Sequence, residues 1–233
     1  MKRMPAELKA IFFDVGNTLL FPNRQRILGP LFERGVRPSE DHLRAIERQT
    51  KQEFDALMQS GAQGPGFWHI FYSHLLQELD LCDDDLRDSL TLATGVSANW
   101  CDIRPGTRDI LQKLGKRYQT GVISNADGKI ADVLARCGIA DCFSAITDSG
   151  LVGQEKPHPG IFMAALESMR VPAASSLYVG DVYSVDYLGA TRAGMQAVLF
   201  DVPGAYTETD LPRVGSLQEL EVMLLRWLTP EAR

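Results

Sequence analysis

The chain has 233 residues, 45% hydrophobic and 23% charged, the composition of an ordinary globular protein with room for one sizeable domain or a core with an insertion. Its formal charge of −6 argues against nucleic acid as a general partner, because a phosphate backbone is bound by a basic face. No stretch approaches the ~18 apolar residues of a membrane span. Cys82, Cys101, Cys137 and Cys142, without CxxC or metal-ligand spacing, read as four reduced thiols.

Met1 to Lys9 is polar and shows no secretory leader, so the expected location is cytoplasmic. The apolar run Ala10-Ile11-Phe12-Phe13 predicts a buried strand with Asp14 at its end. From Pro22 to about Asn99 only helical spacing follows. Residues 41–58 carry one apolar stripe at Leu43, Ile46, Phe54, Leu57 and Met58, and Lys51, to its side, is expected on a solvated face. Three Gly and one Pro between Ser60 and Gly66 break the pattern, which resumes over 67–79 and 83–93.

After Pro105-Gly106, helices are predicted over 107–116, 129–137, 160–169 and 185–193, and strands over 120–123, 143–147, 177–179 and 196–200. Residues 216–228 close the chain as an amphipathic helix with Ser216 and Glu219 spaced as a capping box. Such alternation implies an α/β fold: a doubly wound, mainly parallel sheet with right-handed crossovers. Residues 1–20 and 101–233 form the expected core, and 21–100 an inserted helical unit.

In an open parallel sheet, ligands sit beyond the carboxyl ends of the strands. Asp14, Ser124 and Asp181 each end or follow an apolar strand run, which places all three at one edge. Asp14 is either a carboxylate nucleophile or a turn cap. Ser124 and Asn125 offer a hydroxyl and backbone N–H groups to a phosphate oxygen, or form a plain turn. Lys156, before Pro157 and Pro159 in a restricted loop, supplies a fixed ammonium or a solvated one. Asp181 and Asp186 are hard-oxygen donors of the kind Mg²⁺ takes.

Asp14-Val15-Gly16-Asn17-Thr18-Leu19, Val122-Ile123-Ser124-Asn125, Glu155-Lys156-Pro157, and Val179-Gly180-Asp181 with Asp186 follow one another in an order that resembles the haloacid dehalogenase (HAD) superfamily of hydrolases, over nearly the whole chain. The resemblance implies a Rossmann-like core with residues 21–100 as a C1 cap over the active site. It makes Asp14 the nucleophile that forms an aspartyl-phosphate. Lys156 shares in catalysis and, with Ser124 and Asn125, holds phosphate. Mg²⁺ is bound by Asp14, Asp181 and the Gly16 carbonyl, with Asp186 on a metal water. The implied partner is a small phosphate ester, not a nucleic acid or a membrane; oligomeric state leaves no mark in the sequence.

The first HAD segment usually reads Asp-x-Asp-Gly-Thr, and here its second Asp is Gly16. In the family's phosphatases that Asp protonates the leaving alcohol and then activates water. Three readings follow. One is a phosphatase whose acid comes from elsewhere, with His69 and His74 as candidates, or whose substrates have good leaving groups. The second is a phosphonate- or haloacid-cleaving enzyme. The dehalogenases work without Mg²⁺, against which the Asp181/Asp186 pair argues; the phosphonate-cleaving members keep Mg²⁺, carry a small residue at the second position and use a cap lysine as a Schiff base, and Lys51 is the sole lysine of 21–100. The third is a weakened, phosphate-binding regulatory protein. The first is the expectation. Trp68 and Tyr72 are candidates for substrate contact or for core.

Overall fold

The computed structural model describes residues 7–228, so the reading of a leaderless start lies mostly outside them. In chain order come β1 (Ala10–Phe13), β2 (Leu20–Pro22), α1 (Arg24–Ile27), α2 (Gly29–Glu33), α3 (Glu40–Ser60), α4 (Phe67–Glu78), α5 (Asp84–Gly95) and β3 (Trp100–Ile103). Then follow α6 (Thr107–Gly115), β4 (Gln119–Ser124), α7 (Ile130–Arg136), β5 (Ala145–Asp148), α8 (Ser149–Val152), α9 (Pro159–Met169), β6 (Ser176–Gly180), a π turn (Tyr183–Tyr187), α10 (Leu188–Arg192), β7 (Gln196–Phe200), β8 (Arg213–Val214) and α11 (Leu217–Leu228).

Six strands form one sheet in the order β5-β4-β1-β6-β7-β8, every neighbouring pair parallel. This is the doubly wound α/β fold expected. Alternation along β1 explains its two covers. Ile11 and Phe13 pack with Val122, Leu177 and Val179 under α6, α7 and α11, while Ala10 and Phe12 pack with Tyr178 and with Ile161, Phe162 and Ala165 of α9. After β1 the chain builds β4 and β5 on one side, then crosses back to build β6, β7 and β8 on the other. The edge beyond β1, between β4 and β6, is therefore the switch point where such sheets bind ligands.

The helices α1–α5 have a core of their own, made by Ile27, Leu31, Leu43, Ile46, Phe71, Leu75, Leu86 and Leu90. They enter and leave through β2 and β3, which pair antiparallel with each other and not with the main sheet. Capping sets the helix starts: Ser39 accepts from His42 N–H at 3.2 Å and Asp83 from Leu86 N–H at 2.9 Å. Ser216 caps α11 as expected, accepting from Glu219 N–H at 3.2 Å, while the Glu219 carboxylate reaches one residue past the cap and accepts from Gly215 N–H at 2.8 Å.

Three expectations needed adjustment. The strand over 143–147 forms at Ala145–Asp148, and the helix over 185–193 begins as the π turn before becoming α10. The short pair β2 and β3 was not expected at all. Among the described residues no helix is long and apolar enough to cross a membrane.

Candidate active site

Asp14 directly follows β1, and its N–H extends the ladder to Val179 O at 2.8 Å. Phe13 lies beside Val122 of β4 and Val179 of β6, so Ser124 and Asp181 reach the same carboxyl edge on opposite sides of Asp14. All three are buried.

Lys156 comes from the loop before α9, and Asn125 holds it by the backbone. Lys156 N–H donates to Asn125 Oδ1 at 2.7 Å, and Asn125 Nδ2 donates to the Lys156 carbonyl at 3.0 Å. The Asn125 side chain is thus committed to placing Lys156, which leaves only its backbone to face an anion. The Lys156 ammonium donates to Asp14 Oδ1 at 2.6 Å, Asp186 Oδ1 at 2.8 Å and the Tyr178 hydroxyl at 2.8 Å. An ammonium has three N–H donors, and all three are engaged by the core.

Asp186 sits on the π turn, folded back against β6. A Cβ on Gly180 would lie 2.5 Å from the Asp186 carboxyl carbon, so only glycine before Asp181 admits this approach. Both Asp186 oxygens are engaged, Oδ2 by Val182 N–H at 2.9 Å and Oδ1 by Lys156 and the Tyr178 hydroxyl. Asp181 Oδ2 receives the amide of Asn17 at 3.4 Å, from the turn after Asp14.

The expectation for Lys51 is overturned: its exposure is 0%, and its ammonium lies in the cluster. It is 2.9 Å from Asp181 Oδ2, 2.9 Å from the Asp181 carbonyl oxygen and 3.2 Å from Glu47 Oε1. The reason is a second buried face on α3. Of the apolar stripe, Leu43 and Ile46 pack inside the helical insert and Met58 is exposed, while Arg48, Lys51 and Asp55, at i, i+3 and i+7, meet the core. Arg48 donates to the Pro203 carbonyl at 3.0 Å, and Asp55 accepts from Ser184 N–H and from the Tyr206 hydroxyl, each at 2.8 Å. A period-based reading of hydrophobic residues registers only the apolar face.

One ligand oxygen from each of Asp14, Asp181 and Asp186 falls within 4.8 Å of the others. Burial pushes Asp14 up to about 7, with Lys156 opposing and Asp186 and Asp181 adding to the rise. Burial likewise pushes Asp181 up to about 6, opposed by Lys51 and reinforced by Asp186 and Glu47. For Lys156 and Lys51 burial acts downward, but their carboxylate partners outweigh it and hold both ammoniums above the ordinary lysine range. A buried all-oxygen set this short of positive charge fits a hard divalent cation.

The remaining candidates make no hydrogen bond or ion pair with the acidic cluster among the described residues. His74 pairs with Glu53 at 2.7 Å and His69 lies 4.0 Å from Asp88, contacts within the insert. Tyr72 is core, its hydroxyl 2.6 Å from Thr94 Oγ1, and Trp68 packs against Phe71 and Trp100. Sequence reasoning did not single out Tyr178, Asp55 or Tyr206, none of which sits in a motif. Two buried hydroxyls near these segments, Thr18 Oγ1 and Ser184 Oγ, have no hydrogen-bond partner.

A family model described as haloacid dehalogenase-like hydrolase matches residues 8–194. Haloacid dehalogenase-like hydrolase domain-containing protein 3 of Danio rerio is 38% identical over 107 residues, 46% of this chain and 44% of that protein. Glyceraldehyde 3-phosphate phosphatase of Pyrococcus abyssi is 31% identical over 199 residues, covering 83% of this chain and 81% of that one. Among solved structures, a HAD hydrolase of Bacillus subtilis, crystallised with magnesium, superposes with a TM-score of 0.67 at 21% identity, covering 94% of this chain and 99% of the other.

Proposed function

Because the chain belongs to the haloacid dehalogenase-like hydrolase family, we propose that it is a Mg²⁺-dependent phosphohydrolase acting on a small phosphorylated metabolite through Asp14. The observation that carries this reading is the buried cluster in which Lys156 bridges Asp14 and Asp186 beside Asp181. Relatives named glyceraldehyde 3-phosphate phosphatase put triose phosphates first among substrates to try.

Asp14 and Asp181 would hold Mg²⁺ through side-chain oxygens, Gly16 through its backbone carbonyl and Asp186 through a water, the three carboxylates being already within reach of one ion. When bound, the ion neutralises phosphoryl charge and relieves the repulsion among the carboxylates. The chain's own groups do the rest. The Asp14 carboxylate attacks phosphorus, the P–O bond to the leaving group breaks, and water then cleaves the aspartyl-phosphate. Lys156 orients Asp14 and offsets negative charge as the phosphoryl group transfers. Ser124 and the Asn125 backbone donate to phosphate oxygens. The helices α1–α5 act as a cap that excludes water from the reaction.

Gly16 supplies no proton, so the favoured substrates have leaving groups that depart as weak bases, or draw the proton from water. Lys51 reaches the site, as a phosphonate-cleaving Schiff-base lysine must, but two carboxylates hold it charged and therefore non-nucleophilic. The test is phosphate release from p-nitrophenyl phosphate with Mg²⁺, with EDTA and Asp14→Asn as controls. Release that stops in both controls is expected. Release that survives Asp14→Asn removes the proposed nucleophile.

A further inference from the structure

Two ammonium groups face the acidic cluster, and they are not equivalent. Lys156 is tied to Asp14, Asp186 and Tyr178, all groups of the core. Lys51 is tied to Asp181 and reaches it from α3, a helix of the insert. Of the two, only Lys51 is carried by the helical insert, so only Lys51 moves with it. Glu47, one turn earlier on α3, would accompany it: its Oε1 is buried, lies 3.2 Å from the Lys51 ammonium and makes no hydrogen bond of good geometry.

Charge decides what happens when ligands arrive. With every carboxylate ionised, Asp14, Asp181, Asp186 and Glu47 against Lys51 and Lys156 leave two net negative charges. A divalent cation offsets them, and a phosphate dianion turns the site negative again. Lys51 and the metal therefore oppose each other at Asp181, whereas phosphate and Lys51 attract. Arg48 and Asp55 hold α3 against the core, which keeps the Lys51 ammonium beside the carboxyl edge where either anion would sit.

We propose that Lys51 is a phosphate-binding residue of the loaded site, resting on Asp181 until metal displaces it and then taken up by the substrate phosphate. This rests on the reading of the cluster as a metal-dependent phosphohydrolase site. By linkage, Lys51 weakens metal binding to the empty site and strengthens phosphate binding to the metal-loaded one.

The test is calorimetric: Mg²⁺ titrated into the protein, then inorganic phosphate into the Mg²⁺-loaded protein, for wild type, Lys51→Met and Lys51→Arg. Lys51→Met is expected to bind Mg²⁺ about tenfold more tightly and phosphate about tenfold more weakly, while Lys51→Arg stays near wild type in both. A merely loosened fold would weaken both ligands, so the opposite signs are diagnostic. Unchanged phosphate affinity in Lys51→Met, or weaker Mg²⁺ binding, overturns the proposal. If Lys51→Met does not fold, Glu47→Gln decides: with Lys51 left to Asp181 alone, Mg²⁺ affinity should fall about threefold or more, and unchanged affinity overturns the proposal. A wild type that binds no Mg²⁺ overturns the metal reading as well; one that binds Mg²⁺ while the variants change nothing overturns only the role of Lys51.

Discussion

Replacing Gly16 with Asp asks whether the absent acid limits turnover. A Cβ at Gly16 lies 3.3 Å from Trp100 Cζ3 and 3.6 Å from Cε3, so the indole must yield by a few tenths of an ångström. It is held there by a 2.8 Å bond from Nε1 to Thr94 O and by Trp68, whose ring centre is 5.5 Å away. Overpacking of this kind costs about 1–3 kcal/mol of stability, or roughly 2–12 °C in Tm for a chain of this length. A positioned acid/base contributes about 10²–10⁴-fold in rate, about 3–5 kcal/mol of barrier. The crowding displaces the new carboxylate as well, so the gain should fall at the low end: about 10–100-fold on alkyl phosphates. On p-nitrophenyl phosphate, whose leaving group needs little protonation, turnover should hardly change. Gly16→Ala isolates the crowding, with the lower Tm and no gain in rate. A folded, metal-binding Gly16→Asp whose alkyl phosphate turnover does not rise would refute the reasoning, because the proton would then come by a path that never needed this position.

The raised carboxylates predict a pH-dependent metal effect. Asp14 and Asp181 have folded pKa values of about 7 and about 6 against 3.8. Their contribution to the stability of the metal-free protein is thus full below about pH 4 and lost as pH rises through 6–7. Mg²⁺ requires both deprotonated, so the rise in Tm on adding it should be larger at about pH 8 than at about pH 5; equal rises in scanning calorimetry would count against protonated carboxylates in the cluster. Asp55→Asn keeps the shape but removes the charge that accepts from Ser184 and Tyr206. Thermal unfolding should show a loss of about 1–3 kcal/mol, and an unchanged Tm would mean that α3 and the core are not bonded through Asp55 in solution.

The parallel core was legible because its strands are short apolar runs ending in polar residues, and because Asp14, Ser124 and Asp181 stand at those ends. Ser216 and Glu219 were legible because a cap is local, its bonds confined to residues 215–219. Lys51 was not, because what buries it is 130 residues away at Asp181, and a polar helix face leaves no hydrophobic period. The Asn125 side chain was unreadable for the same reason: its partner is the Lys156 backbone, which any residue would provide. The strands β2 and β3 are three and four residues long, and each becomes a strand only by meeting the other across the insert.

The place of β1 at the centre of the sheet has a consequence for synthesis. It is made well before either neighbour: Ala10 pairs with Gln119 and Ser176. At about 5–20 residues per second the ribosome delivers the first neighbour roughly 5–20 s later and the second after roughly 8–30 s. Throughout that interval Ala-Ile-Phe-Phe has no partner to cover it, while α1–α5, whose contacts are local, emerge complete and bury their own core. The nascent chain therefore folds α1–α5 before the sheet, and Asp14 at the end of β1 gains its surroundings only once synthesis has passed β6.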